Sequence, residues 1–146
     1  MKRFLAVFLF AMFFSTGAVW AAGSWSGTID TGDGGEIRRV QSTFTADSSD
    51  GSVPVWTVNL GRKYEWYLIR AVTDPGTTAP TDDYDIVLND TWSVDYANSQ
   101  LLNRDEATTE KVAFGKYEPI YSPISVTLTN NSVHSATGTV VLVFGR

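Results

Sequence analysis

Five aspartates crowd one stretch of the chain: Asp82, Asp83, Asp85, Asp90 and Asp95. Hard oxygen ligands suit Ca²⁺, which takes roughly six to eight of them. The spacing here lacks the Asp-x-Asp-x-Asp-Gly order of a helix–loop–helix calcium loop. Aspartates in loops also accept hydrogen bonds from backbone N–H groups two residues further on. That second use is the expectation for all five, so no metal is assigned. Paired carboxylates also hydrolyse glycosides, provided burial raises one pKa and a fixed gap separates the two. Nothing in the residue order selects such a pair, so no catalytic residue and no cofactor is expected.

His134 is the single histidine and sits between Val133 and Ser135. A hydrolase of the nucleophile-elbow type needs Gly-x-Ser-x-Gly on a strand–turn–helix, and the chain has none. His134 therefore reads as an exposed turn residue. Gly32-Asp33-Gly34-Gly35 lacks the lysine and the following helix of a phosphate-binding loop. Tyr64, Tyr67, Tyr96, Tyr117 and Tyr121 would stack on sugar rings if they shared an exposed face. Tyrosine is equally at home on a half-buried sheet edge, and packing is the preferred reading.

Composition narrows the classes further. The chain has 146 residues, no cysteine and a net charge of −5. Absent cysteines exclude a disulfide framework, a thiolate metal site and a cysteine nucleophile. A pI near 4.7 argues against nucleic acid, whose backbone demands clustered Lys and Arg. A hydrophobic content of 43% is enough for one core, and the length allows one domain.

The first residues read as an export signal. Met1-Lys2-Arg3 is basic, Phe4 to Phe14 is apolar, and Val19-Trp20-Ala21 places small residues at −3 and −1 of a cleavage site. The expectation is a signal peptide over 1–21 and a single domain over 22–146. Cleavage would remove Lys2 and Arg3, leaving 9 basic against 16 acidic residues and a charge of −7. The membrane would be met only through this leader, and the mature chain would be periplasmic or extracellular, with the virion as the alternative location.

From Gly23 onward the pattern is short alternating runs broken by Gly, Asp and Asn, with no helical period. Strands are expected over Ser24–Ile29, Glu36–Ala46, Val53–Leu60, Tyr64–Thr73, Tyr84–Leu88, Thr91–Tyr96, Ser122–Thr129 and Thr139–Phe144. Asp74 to Asp83 holds two prolines and a glycine and reads as a long loop. Ala97 to Lys111 fits either a helical turn or an exposed loop. The fold class expected is all-β: an antiparallel two-sheet sandwich, jelly-roll or immunoglobulin-like. Trp25, Trp56, Trp66, Trp92 and Phe44 are expected to dominate its core.

One set of residues carries a resemblance. It comprises Ala71-Val72-Thr73-Asp74-Pro75-Gly76-Thr77-Thr78-Ala79-Pro80-Thr81-Asp82-Asp83-Tyr84-Asp85-Ile86, then Val94-Asp95, Asn103-Arg104-Asp105, the run Ser122 to Ser132, and Ala136-Thr137-Gly138. Together these resemble a family of small tailed-bacteriophage and prophage proteins encoded near head and tail genes. The similarity spans roughly Trp66 to Phe144. It implies a non-enzymatic structural or accessory protein, with protein subunits of its own or another phage kind as partners, and homo-oligomers. The contact loop is expected at Asp74, Pro75, Pro80, Asp82, Asp83, Tyr84 and Asp85. The chain departs from the family in its leader and in having Thr91-Trp92-Ser93 where a glycine is expected just ahead of Val94-Asp95. The alternative function is an exported glycan- or surface-binding module.

Overall fold

The computed structural model describes residues 21–31, 35–61, 65–115, 118–120 and 123–146. The leader lies outside them, as do Tyr64, Tyr117, Tyr121 and most of the Gly32–Gly35 run. The described residues form nine strands and no α-helix: β1 (Ser24–Thr31), β2 (Ile37–Thr45), β3 (Trp56–Val58), β4 (Trp66–Pro75), β5 (Asp85–Asn89), β6 (Glu110–Ala113), β7 (Pro119–Ile120), β8 (Ile124–Thr129) and β9 (Thr137–Gly145). All pairings are antiparallel. The larger sheet runs β1-β2-β9-β4-β6, with β7 also on β4, and the smaller runs β3-β8-β5.

The alternation seen in the sequence sets the faces. In β2, Val40, Ser42 and Phe44 are buried while Arg39, Thr43 and Thr45 are exposed. In β8, Ile124, Val126 and Leu128 point inward, with Ser125 and Thr127 half-buried between them. One core cluster draws on both sheets: Phe44, Ala71, Leu142 and Phe144 from the larger, Val58, Ile86, Leu88 and Val126 from the smaller. Trp25 of β1 stacks on Trp56 of β3 at 5.4 Å and meets Phe44 edge-on at 5.5 Å. Its indole Nε1 donates to the Pro54 carbonyl at 2.6 Å, so the ring joins the two sheets along one side. Gly138 of β9 is small by necessity. A Cβ there would lie 2.6 Å from the Phe44 ring.

Several expectations shift. The long central strand ends at Pro75, because Asp74 and Pro75 still pair with Thr139 and Gly138 of β9. Only Trp56–Val58 of the Val53–Leu60 run pairs as a strand. Thr91–Tyr96 is not a strand. It is a turn in which Ser93 takes φ 64°, and one bridge links Asn89 to Asp95. Trp92, expected in the core, is 78% exposed at its tip. Ala97 to Lys111 is mostly turn, with Asn98 and Ser99 at positive φ, which rules out a right-handed helical turn there. Leu101 nonetheless reaches the core, and its carbonyl accepts from the Ile86 amide at 2.9 Å. Short β6 and β7 went unseen in the sequence, since four and two residues carry too little alternation to register.

Candidate functional site: the loop end

The C-terminal ends of β2, β4 and β8 and the starts of β1, β5, β6 and β9 meet at one end of the molecule. The loops there bring together most of the residues that carry the resemblance. Tyr84 bridges to Arg104, whose amide donates to the Tyr84 carbonyl at 2.7 Å. Asp85 accepts from the Asn103 amide at 2.8 Å and from the Asn130 side-chain amide. The Thr81 amide donates to Asn131 Oδ1 at 3.0 Å, and Asn131 Nδ2 donates to the Gly51 carbonyl at 2.7 Å. Gly76 and Thr137 complete the closure: the Gly76 amide donates to the Thr137 carbonyl at 2.8 Å, and the Thr137 amide to the Thr78 carbonyl at 2.7 Å. Segments far apart in sequence thus satisfy one another's polar groups. Such satisfaction is what lets irregular backbone pack closely.

The expected contact-loop residues divide by burial. Asp74, Asp82 and Asp83 are exposed, while Pro75 and Asp85 are half-buried. Pro80 and Tyr84 are buried and form the anchor of the loop, not its outer surface. Tyr84 is 1% exposed and packs 6.4 Å from Phe44. Burial pushes its phenol up to about 12, partly offset by the Thr73 hydroxyl that hydrogen-bonds to it. Glu110 adds a smaller upward push. That carboxylate pairs with Arg104 at 3.3 Å and accepts from the Asp105 amide at 2.9 Å.

Of the five aspartates singled out in the sequence, Asp82, Asp85, Asp90 and Asp95 accept from backbone amides, and Asp83 stands exposed. Asp95 Oδ1 accepts from the amides of Leu88 at 3.2 Å and Ala97 at 3.0 Å, and its Oδ2 accepts from Ser99 at 2.8 Å. Asp90 accepts from Trp92 at 2.8 Å and Val94 at 2.9 Å. Asp82 accepts from the neighbouring Asp83 amide at 3.1 Å. Asp105 holds Ala107 and Thr108, and these bonds lower its pKa below the usual carboxylate value. The hydroxyl and amide of Ser49 do the same for Asp47. These carboxylates are aimed at backbone amides, which fixes the turns around them. Among the described residues, no three carboxylates or histidines gather in a way that could hold a metal ion. His134 lies exposed on the β8–β9 turn.

A second feature lies at the other end. A cavity of about 650 Å³ is lined by Val94, Asp95, Tyr96, Asn98, Gln100, Phe114, Gly115 and Glu118. Of the tyrosines singled out in the sequence, Tyr96 stands here and Tyr67 lies on the larger sheet, both half-buried and on different elements. Sequence reading missed Asn98 and Gln100, which fall in the illegible Ala97–Lys111 stretch.

No family model, curated protein or solved structure matches the chain.

Proposed function

We propose that this is a phage- or prophage-encoded structural or accessory protein that acts through protein–protein contacts and catalyses nothing. Its two sheets face one another as a sandwich of the jelly-roll or immunoglobulin-like kind, behind an N-terminal signal peptide. One observation carries the reading. Most of the segments that resemble the phage family meet at one hydrogen-bonded loop end, where Asp85 accepts from the Asn103 amide, and Asp90 and Asp95 beyond it are likewise taken up by backbone amides. That arrangement favours a rigid surface over a reaction centre, which needs convergent groups free to exchange protons. Such surfaces are how symmetric assemblies are built.

Mass spectrometry of particles purified after induction of the host culture tests this. The chain should appear in the particle in a fixed ratio to the major capsid or tail subunit. Its absence from particles, together with hydrolytic activity on any substrate panel, would overturn the proposal.

The cavity beside Tyr96 favours a second reading, an exported glycan-binding module. An aromatic ring flanked by Asn98, Gln100 and Glu118 offers both stacking and hydrogen bonds to a neutral sugar. Trp92 stands exposed on the adjoining turn. A glycan array read by tryptophan fluorescence separates the two. Binding that is lost in Trp92→Ala or Tyr96→Ala supports this reading, and a blank array removes it.

A further inference from the structure

The larger sheet has an outer face that none of the described elements covers. Its residues fall in rows fixed by strand register. Ile37, Gly145 and Tyr67 form one row, Arg39, Val143 and Arg70 the next, and Gln41, Val141, Val72 and Lys111 the third. The extra residue of the β4 irregularity, Ile69, sits beside Gly145, where a Cβ would touch both Ile69 and Ile37. Ile37, Ile69, Tyr67 and Gly145 line a depression of about 540 Å³, and Ile37 is 43% exposed. The face therefore has an apolar depression at one end, which Arg146 also lines, and the exposed cations Arg39, Arg70 and Lys111 along the next rows, with Asp74 on the same face one pair beyond Val72. Asp30 lies at the far end of the Arg39 row, on edge strand β1.

The loop end has the opposite character. Asp50, Asp82, Asp83 and Glu106 are exposed there. The one Lys or Arg among its described loops is Arg104, and Glu110 already pairs with it. A chain with a net charge of −5 has thus gathered cations around an apolar sheet face and carboxylates at one tip. An uncovered apolar patch rimmed by charge marks an interaction surface. Complementary charge selects what docks on it.

We propose that the outer face of the larger sheet receives the acidic loop end of a second copy, so that subunits associate head to tail. The contact is heterologous, since two different patches meet, and it builds rings or open filaments, not closed two-fold dimers. This rests on the structural-protein reading above and adds the geometry of its contact.

Sedimentation velocity of the full chain over a concentration series tests it. Oligomers larger than dimers should form at about 50 mM NaCl, and their apparent affinity should fall about tenfold or more by about 500 mM. The pair Arg39→Glu/Arg70→Glu should be monomeric, and so should Asp82→Lys/Glu106→Lys. All four side chains are exposed, so melting temperatures should stay near that of the parent, which separates lost contact from lost fold. An equal mixture of the two variants should reassemble, because each reversed patch then faces a reversed partner. A discrete dimer abolished by Arg39→Glu/Arg70→Glu but untouched by Asp82→Lys/Glu106→Lys would overturn head-to-tail geometry in favour of face-to-face pairing. A monomer at all salts and concentrations would overturn it outright. If such a monomer is nonetheless found in particles, the structural role stands and only the self-contact falls. If salt-sensitive oligomers form but particles lack the chain, the self-contact stands and the role in the particle falls.

Discussion

Asp95 offers the sharpest test of whether the aspartates are structural. Its two oxygens take three amides, and two of these belong to fully buried residues, Leu88 and Ala97. Replacement by alanine strands those two donors where water is scarce. Each such loss costs about 1–3 kcal/mol. The third donor, Ser99, is exposed and finds water, so it adds little. Asp95→Ala should therefore destabilise by roughly 2–6 kcal/mol, a large part of the ~5–15 kcal/mol typical of a domain. Asp95→Asn keeps one carbonyl oxygen for the Leu88 and Ala97 amides and turns its NH₂ toward Ser99. It should cost only about 1 kcal/mol. Urea unfolding followed by tryptophan fluorescence reads both, with an unchanged m-value as the check that the same surface unfolds. A loss below about 1 kcal/mol for Asp95→Ala would refute the capping argument. So would a melting temperature raised by Ca²⁺ in the parent and not in Asp95→Asn, since a ligand held by the native state alone must stabilise it.

Three further expectations follow from single positions. Tyr84 titrates near 10 when unfolded and at about 12 when folded, so its contribution is complete below pH 10 and is lost as pH climbs toward 12. Stability should sag by roughly 2–3 kcal/mol across that window, and Tyr84→Phe should remove the sag, as alkaline urea titrations will show. Gly138→Ala drives a methyl to 2.6 Å from the Phe44 ring and 3.1 Å from the Asp74 carbonyl, and should cost about 1–3 kcal/mol in thermal melts. Ser93→Gly relieves a left-handed backbone at φ 64° and should stabilise by about 0.5–1 kcal/mol. A destabilised Ser93→Gly would show that the serine side chain contributes more than its backbone strain removes.

Strand existence was legible where alternation ran long enough. Ile124-Val126-Leu128 and Val40-Phe44 announce a buried face because one-residue slippage would expose the whole set. Legibility failed where tertiary pairing overrode local chemistry. Pro75 looks like a loop residue, yet it ends β4 because Gly138 lies opposite and needs no N–H from it at the strand terminus. Thr91–Tyr96 has strand-like residues, but Asp90 captures the Trp92 and Val94 amides and curls the segment into a turn. The serine there adopts the conformation a glycine would take without strain.

The loop end was half visible for a related reason. Composition reveals that Asp74 to Asp85 is rich in carboxylates, but an aspartate that caps its own turn and one that meets a partner look identical in one dimension. Three-dimensional placement separates them. Asp85, Asp90 and Asp95 hold amides of the segments that flank them or lie across from them. Asp83 and Glu106 face solvent on either side of the Tyr84–Arg104 bridge. Buried Tyr84 and Pro80 then act on the exposed acids indirectly, by fixing the backbone from which they project. A side chain whose backbone is already fixed loses less entropy when it docks than one on a free loop. On that argument the interior half of the motif sets the shape of the surface, and the exterior half is free to set what the surface meets.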